Sequence, residues 1–285
     1  MAEVGLVPFA RLALEIASAV LPPYRTRFSK HQFTQPQLLA LLCLMRFEDW
    51  TFREVEVRLS EHAELRGVLG LDAVPDYTTL YRFLRRVPEA VFAEALNQVA
   101  SRFPASRPAA RVAIDGTGLT HRTISTYYHK RVHLHRFPLC YWLKWVLVVD
   151  LDRQLLLAQA AHAGPANDCP LLPPLLAVAG ENTPIGLVLA DAEFDSERNH
   201  RFIRQTLKAR SVIPAKKGHR SWRIHGVRAK MRQRFPRKVY AQRALIEAVI
   251  SCVKRKLSAR APGRTVHTQS LQALLLGVAF NVYRL

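Results

Sequence analysis

This 285-residue chain lacks both long apolar runs and closely spaced cysteines. Apolar runs such as Leu38 to Met45 fall far short of the roughly 20 residues that a membrane-spanning helix needs. The N-terminal apolar stretch is interrupted by Arg11 and Glu15, which argues against a secretory signal. The four cysteines form no C-x-x-C pair, which disfavours a zinc site or a disulfide framework. These absences predict a cytoplasmic protein with reduced thiols and no membrane partner.

Acidic residues are scarce in the last third of the chain. Residues 196–285 hold 22 lysines and arginines against 2 acids, whereas residues 1–195 hold 20 of each kind. The last third therefore carries the whole formal net charge of +20. Such one-sided charge favours a polyanionic partner, most simply nucleic acid, over an ordinary solvated face. With 49% hydrophobic residues, the chain is too apolar to be a disordered tail.

The sequence pattern changes near residue 105. Capping boxes at Thr34 and Thr51, tight turns and a basic third helix over residues 78–86 predict an all-α, helix-turn-helix-like domain over 1–105. A plain helical bundle is the alternative. Residues 106–285 show three consecutive strands and then strands alternating with helices, which predicts an α/β domain with a mixed sheet flanked by helices.

Two acids directly follow apolar strands in that second domain. Asp115 follows Val112 to Ile114, and Asp191 follows Leu187 to Ala190. The ends of strands in open α/β sheets are where ligand sites form. For one such acid taken alone, capping a turn is the alternative. Glu193 and Asp195 crowd the second position, and the residues themselves do not decide among the three acids.

A third acid lies on a basic helix predicted from Tyr240 to Lys254. At about 100° per residue, Tyr240, Arg243, Glu247 and Lys254 share one face of that helix. A solvated salt-bridge network is the simpler explanation for Glu247. If the three carboxylates meet, however, they repel one another and favour an oxygen-preferring divalent cation such as Mg²⁺.

Further basic residues are candidates for contact with DNA. Segment 121–136 lies between the first two predicted strands and contains Arg122, Lys130 and Arg131. In the N-terminal domain, Arg82 and Arg85 of the third helix are of a type able to reach base edges or phosphates.

The spacing Tyr-(2)-Arg-(3)-Glu-(6)-Lys of residues 240–254 resembles the signature of the IS4/IS5 superfamily of bacterial insertion-sequence transposases. The stretch Ile114-Asp115-Gly-Thr-Gly is similar to the first acidic motif of that superfamily. Ala190-Asp191-Ala-Glu-Phe-Asp-Ser is similar to the second, and the resemblance selects Asp191 among its acids.

The resemblance implies an RNase H-like domain with a DDE triad formed by Asp115, Asp191 and Glu247, which would also be the metal ligands. It implies two Mg²⁺ ions, with Mn²⁺ as a substitute, and DNA contacts from Tyr240 and its basic neighbours on the signature helix, Arg243 and Lys254. The implied partners are double-stranded DNA, as terminal repeats and as target, and a second copy of the chain in a homodimer on DNA.

The implied activity is strand cleavage followed by strand transfer, in the bacterial cytoplasm and at the nucleoid when the protein is bound to DNA. Two alternatives stay open from the sequence. One is a transposase-derived DNA-binding protein without catalysis, and the other is a nuclease that cuts without joining. Only 55 residues separate Asp191 from Glu247. This interval leaves little room for the β-rich insertion of some relatives, so the excision route stays undetermined.

Overall fold

A computed structural model describes residues 3–28, 30–105, 107–120, 142–216 and 225–285. The chain forms two compact units. The first contains residues up to 103 together with 253–259 and 263–285, and the second contains residues 104–252 and 260–262. The last helix thus packs within the first unit, whereas the sequence-based division assigned it to the domain 106–285.

The first unit is all helical. Its helices are α1 (Leu6–Val20), α2 (Gln35–Phe47), α3 (Phe52–Glu61), α4 (Ala63–Val68), α5 (Tyr77–Leu84), α6 (Glu89–Ser101) and the C-terminal α12 (Val266–Arg284). Both predicted capping boxes are present, because Thr34 and Thr51 each bind the third residue of the helix that follows. The predicted all-α N-terminal region is confirmed.

Helix α12 forms the centre of this unit. It contacts α1, α2 and α6, and nearly all of its side chains from Thr268 to Tyr283 are buried. Burial on all sides explains why α12 reads as apolar throughout rather than amphipathic. The core of the helical unit therefore requires a segment more than 160 residues away from α6 in the sequence.

The second unit is built on a five-stranded mixed sheet. Its strands are β1 (Ala110–Leu119), β2 (Leu143–Asp150), β3 (Leu155–Ala163), β4 (Ile185–Ala190) and β5 (Arg210–Val212), in the order β3-β2-β1-β4-β5. Strand β2 is antiparallel to β1 and β3, whereas β4 is parallel to β1 and β5. The predicted mixed sheet with three consecutive strands is confirmed.

Helices complete this unit. They are α7 (Leu172–Asn182), which packs on β2 and β3, α8 (Glu197–Arg201), α9 (Gly226–Gln233), α10 (Arg237–Tyr240) and α11 (Ala244–Lys256). Strands β1, β2 and β4 are almost wholly buried apolar residues before their polar ends. Runs of this kind are typical of strands covered on both faces.

Two predicted elements differ in the structure. Strand β1 continues to Leu119, so Asp115 lies inside the strand and not after its end. The predicted helix from Tyr240 is interrupted, because a single 3₁₀ turn over Ala241–Arg243 separates α10 from α11. No helix within the described ranges is long and apolar enough to cross a membrane.

Candidate active site

Asp115 and Asp191 are brought together by the parallel pairing of β1 and β4. Ile114 pairs with Ala190 in the last matched position, so the two acids are the next residues on neighbouring strands. Asp115 Oδ1 accepts a hydrogen bond from the Gly116 amide at 2.9 Å. Asp191 caps the short turn Ala192–Phe194 and accepts the Glu193 amide at 2.8 Å. Both carboxylates are therefore oriented by the backbone beside them.

Arg243 links the third acid to the first. Its Nη2 donates to Asp115 Oδ2 and its Nη1 donates to Glu247 Oε1, both at 2.7 Å. The Arg243 and Asp115 side chains are only 15% and 13% exposed, whereas Glu247 is 60% exposed. One guanidinium group thus joins carboxylates that lie 132 residues apart in the sequence.

The acids perturb one another's ionisation. Burial raises the pKa of Asp115, and the negative charge of Asp191 raises it further, while Arg243 opposes both effects. Burial also raises the pKa of Asp191, against the hydrogen bond from the Glu193 amide and the charge of Arg243. Burial alone would lower the pKa of Arg243, but the acids around it, Asp115 first, raise it. The site therefore holds more negative charge than its single guanidinium neutralises.

Tyr240 lies at the same place, although it precedes the break in the helix. Burial raises the pKa of its hydroxyl, and the charges of Asp191, Asp115 and Glu247 act in the same direction. Lys254 lies about two turns beyond Glu247 on α11, in the part of that helix that packs within the helical unit. Burial lowers the pKa of the Lys254 ammonium.

The other acids of the second motif have different surroundings. Asp195 has a fully buried side chain that accepts two hydrogen bonds from Arg228 and one from the Lys216 amide. Glu193 is 61% exposed and lies 3.6 Å from Lys144. Of the three acids, Asp191 is the one whose charge acts on Asp115. The geometry favours Asp191, as the resemblance does.

A buried ion pair supports the strand that carries Asp115. Lys144 Nζ lies 2.7 Å from Asp168 Oδ2, and the Asp168 side chain is 1% exposed. A Cβ added to Gly116 would lie 2.6 Å from that same Asp168 oxygen. Residue 116 therefore has no room for a side chain. The sequence gave no signal for this pair beyond the placement of Lys144 on a predicted strand.

The donors of the site fit a divalent cation in chemical type. They are all carboxylate oxygens, which Mg²⁺ prefers, and the raised pKa values of Asp115 and Asp191 indicate repulsion that a cation would relieve. Among the described residues, no three His, Cys, Asp or Glu side chains are yet gathered closely enough to hold one ion. At this site Arg243 lies between Asp115 and Glu247.

The candidate DNA-contacting residues of the N-terminal region lie on α5 and its C-terminal cap. The Arg85 guanidinium lies 5.8 Å from the centre of the Tyr81 ring. Arg82 lines a cavity of about 700 Å³ that contains no acidic side chain. Three further cations line it, and sequence reasoning missed them: Arg25, Lys30 and Arg86. The loop before α2 supplies two of these, which a search confined to the predicted third helix does not find.

The remaining candidates, Arg122, Lys130 and Arg131, lie outside the described residues. Their assignment to a DNA-contacting loop stays a prediction.

Comparisons with known proteins agree with the motifs. Residues 106–282 match the family model described as "Transposase DDE domain", and residues 6–86 match one described as "Transposase domain (DUF772)". No curated protein sequence matches the chain.

Among solved structures, a cryo-EM structure of a piggyBac transposase synaptic complex with hairpin DNA is similar, at 13% sequence identity and a TM-score of 0.38. The match covers 75% of this chain and 52% of the other, so this chain spans about half the length of that protein. The first family model covers more than half of the chain and contains Asp115, Asp191 and Glu247. The chain therefore belongs to the family of transposases with a DDE domain, as its resemblance to the IS4/IS5 superfamily predicted.

Proposed function

We propose that this transposase binds the terminal repeats of an insertion sequence, cleaves DNA there and joins the freed ends to target DNA. The observation that carries the proposal is the meeting of three separate motifs at one guanidinium. Arg243 binds Asp115 and Glu247, and Asp191 lies at the matched end of the neighbouring strand. The DDE family as a whole uses divalent metal ions, and Asp115, Asp191 and Glu247 are the residues that would hold them here.

Each reaction step exchanges one phosphodiester bond. In cleavage, a water oxygen bonds to phosphorus while the bond to the leaving 3′ oxygen breaks, and the water loses a proton. In strand transfer, the freed 3′-hydroxyl attacks a target phosphorus in the same way. Two bound divalent ions supply activation of the attacking oxygen and stabilisation of the leaving oxygen. No covalent bond to the protein is needed.

Arg243 has two uses in this scheme. In the free chain it neutralises Asp115 and Glu247. Once cations neutralise those carboxylates, its two donors are available to a phosphate of the DNA, for which the planar guanidinium is well suited. Tyr240, beside the same carboxylates, is placed to pack against a sugar or an unpaired base. Lys254 would bind a phosphate further along the strand.

The helical unit would supply recognition of the element's ends, through Arg82 and the cations around it. The DNA would be double-stranded, and the protein would act as a homodimer on it. The candidate DNA-contacting loop with Arg122, Lys130 and Arg131 would add contacts near the first two strands.

The proposal is tested by strand transfer from pre-cleaved terminal-repeat ends into plasmid DNA. We expect joined products with Mg²⁺ or Mn²⁺ and none with a chelator. Cleavage of intact ends without any joining of pre-cleaved ones would identify a nuclease instead. Specific binding of the ends with neither reaction, in the presence of either metal, would identify a DNA-binding protein without catalysis.

A further inference from the structure

A basic ridge precedes the candidate active site in the second unit. It consists of α9 and the segment that follows it, and its exposed cations are Lys230, Arg232, Arg234, Arg237 and Lys238. The sequence contains no acid between Glu197 and Glu247. Within the described part of the chain, none of these five cations forms an ion pair. Five like charges this close repel one another unless a polyanion lies against them.

The second acidic motif fixes the start of this ridge. Arg228 Nε and Nη2 donate to the two oxygens of Asp195 at 2.9 and 2.6 Å. Asp195 is fully buried and also accepts the Lys216 amide at 2.8 Å. A bidentate charged pair of this kind fixes the orientation of α9 as well as its position.

Glu197 makes a second attachment. Its carboxylate accepts the amides of Val227 and Arg228 at 3.2 and 3.3 Å, and these are among the unpaired N–H groups at the start of α9. Gly226, with a φ of +61°, allows the close approach, because a side chain there would collide with Glu197. Backbone and side chain are therefore both tied to the motif that contains Asp191.

The other end of the ridge reaches the candidate active site. The Phe235 ring meets the Tyr240 ring edge-on, with their centres 4.9 Å apart. Tyr240 lies among Asp115, Asp191 and Glu247, as its raised pKa indicates. The ridge thus begins at one part of the acidic motif and ends beside the carboxylates.

We propose that this ridge binds the DNA backbone on one side of the reacting phosphodiester, and that Asp195 and Glu197 are the positioning residues that hold it there. The inference rests on the proposed function and names the path of the DNA at the same site. The acids of one short motif then have separate tasks. Asp191 serves the chemistry, whereas Asp195 and Glu197 set the position of the surface that holds the substrate.

The first test removes charge from the ridge of the full-length protein. Lys230, Arg232 and Arg234 are replaced together by alanine, and affinity for a terminal-repeat duplex is measured by fluorescence anisotropy over a range of salt. Each lost phosphate contact should reduce the slope of log affinity against log salt by about 1. The slope should therefore fall by about 3 if all three residues contact phosphates.

A matched control removes the same charge elsewhere in the unit, by replacing the exposed Arg198, Arg201 and Lys208 with alanine. We expect a smaller change of slope in this control. Equal slopes for the two triple variants would overturn the ridge as a defined binding surface.

The second test separates positioning from net charge. Glu197→Ala raises the net charge by one, so general electrostatic attraction alone predicts tighter DNA binding. The ridge predicts weaker binding and a smaller salt slope, because α9 loses its attachment. Glu197→Gln makes the same charge change but keeps an oxygen that can accept the two amides, so it should restore the wild-type slope.

Asp195→Asn, if folded by circular dichroism, should act like Glu197→Ala. Tighter binding by Glu197→Ala, or no rescue by glutamine, would overturn the positioning role. These binding measurements need no catalysis. An Asp115→Ala variant that still cleaves DNA would refute the proposed chemistry and leave the ridge intact, whereas unchanged slopes would refute the ridge alone.

Discussion

At the scale of single residues, Arg243 is the centre of the candidate active site. Sequence reasoning assigned it to a phosphate, but in the free chain its guanidinium binds Asp115 and Glu247. The difference has a physical cause. A buried pair of carboxylates without metal or DNA is costly unless a cation is nearby, and Arg243 is the nearest one. The helical spacing predicted the shared face, but it did not predict which charges would pair across 128 residues of sequence.

Replacing Arg243 should therefore strengthen metal binding while impairing cleavage. With Arg243→Ala, the carboxylates lose their resident cation, and we expect Mn²⁺ affinity without DNA to rise about tenfold, equivalent to about 1.4 kcal/mol. Electron paramagnetic resonance of free Mn²⁺ measures this directly. Arg201→Ala, an exposed substitution with the same change of charge, is the control. Unchanged or weaker Mn²⁺ binding by Arg243→Ala would refute the competition between guanidinium and metal.

The pKa shift of Asp191 makes a prediction about stability. Because burial raises the pKa of this carboxyl group, its ionisation is less favourable in the folded chain than in the unfolded one. The resulting destabilisation is absent below the unfolded pKa, about 3.9, and develops as pH rises through the folded value.

Asp191→Asn keeps an oxygen for the Glu193 amide and removes the charge. Without metal, we expect its melting temperature to exceed that of the wild type at pH 7, and the difference to vanish near pH 3. Thermal denaturation at several pH values measures both. An Asn variant that is less stable than the wild type at pH 7 would contradict the account.

At the scale of elements, local signals predicted boundaries well. Thr34 and Thr51 cap their helices as the S/T-x-x-E/Q pattern indicates, since both bonds of a capping box are made within four residues. The extension of β1 to Leu119 was not predicted, because it depends on pairing with β2 and not on residues 116–118 themselves. The break before α11 gives no such local signal either.

Gly116 tests the support of β1 by the ion pair of Lys144 and Asp168. A methyl group at residue 116 would have to displace the buried Asp168 carboxylate, so Gly116→Ala should destabilise the protein by about 1–3 kcal/mol and impair cleavage. Gly67→Ala is the matched control, because a side chain there meets nothing within 4 Å and α4 gains up to about 1 kcal/mol. Urea denaturation measures both, and equal effects would disprove the steric explanation.

At the scale of the whole molecule, charge and packing depend on residues far apart in sequence. The balanced charge of residues 1–195 hides a surface on the helical unit where Arg25, Lys30, Arg82 and Arg86 meet without an acid. Counting charge along the chain does not find such a surface, because two segments about 50 residues apart form it. The return of α12 to the helical unit has the same origin, since an apolar helix does not disclose its partner.

This basic surface should contribute to recognition of the element's ends. Replacing Arg25, Arg82 and Arg86 with alanine should reduce the preference for terminal-repeat over random duplex DNA, measured by competition at fixed salt. The base-specific contacts at stake are worth about 1–3 kcal/mol each. The control replaces three exposed arginines of the same unit, Arg11, Arg58 and Arg102. If the preference is unchanged, the ends are read elsewhere.

The measurement that tests the central claim most directly is the cleavage of terminal-repeat DNA with Mg²⁺ by single alanine variants of the three acids. We expect Asp115→Ala, Asp191→Ala and Glu247→Ala each to reduce cleavage to background while DNA binding is retained, because each removes a metal ligand and not a phosphate contact. Glu193→Ala, the exposed neighbour in the same motif, should cleave at close to the wild-type rate. Near wild-type cleavage by any of the first three variants would contradict the assignment of that acid to the catalytic site.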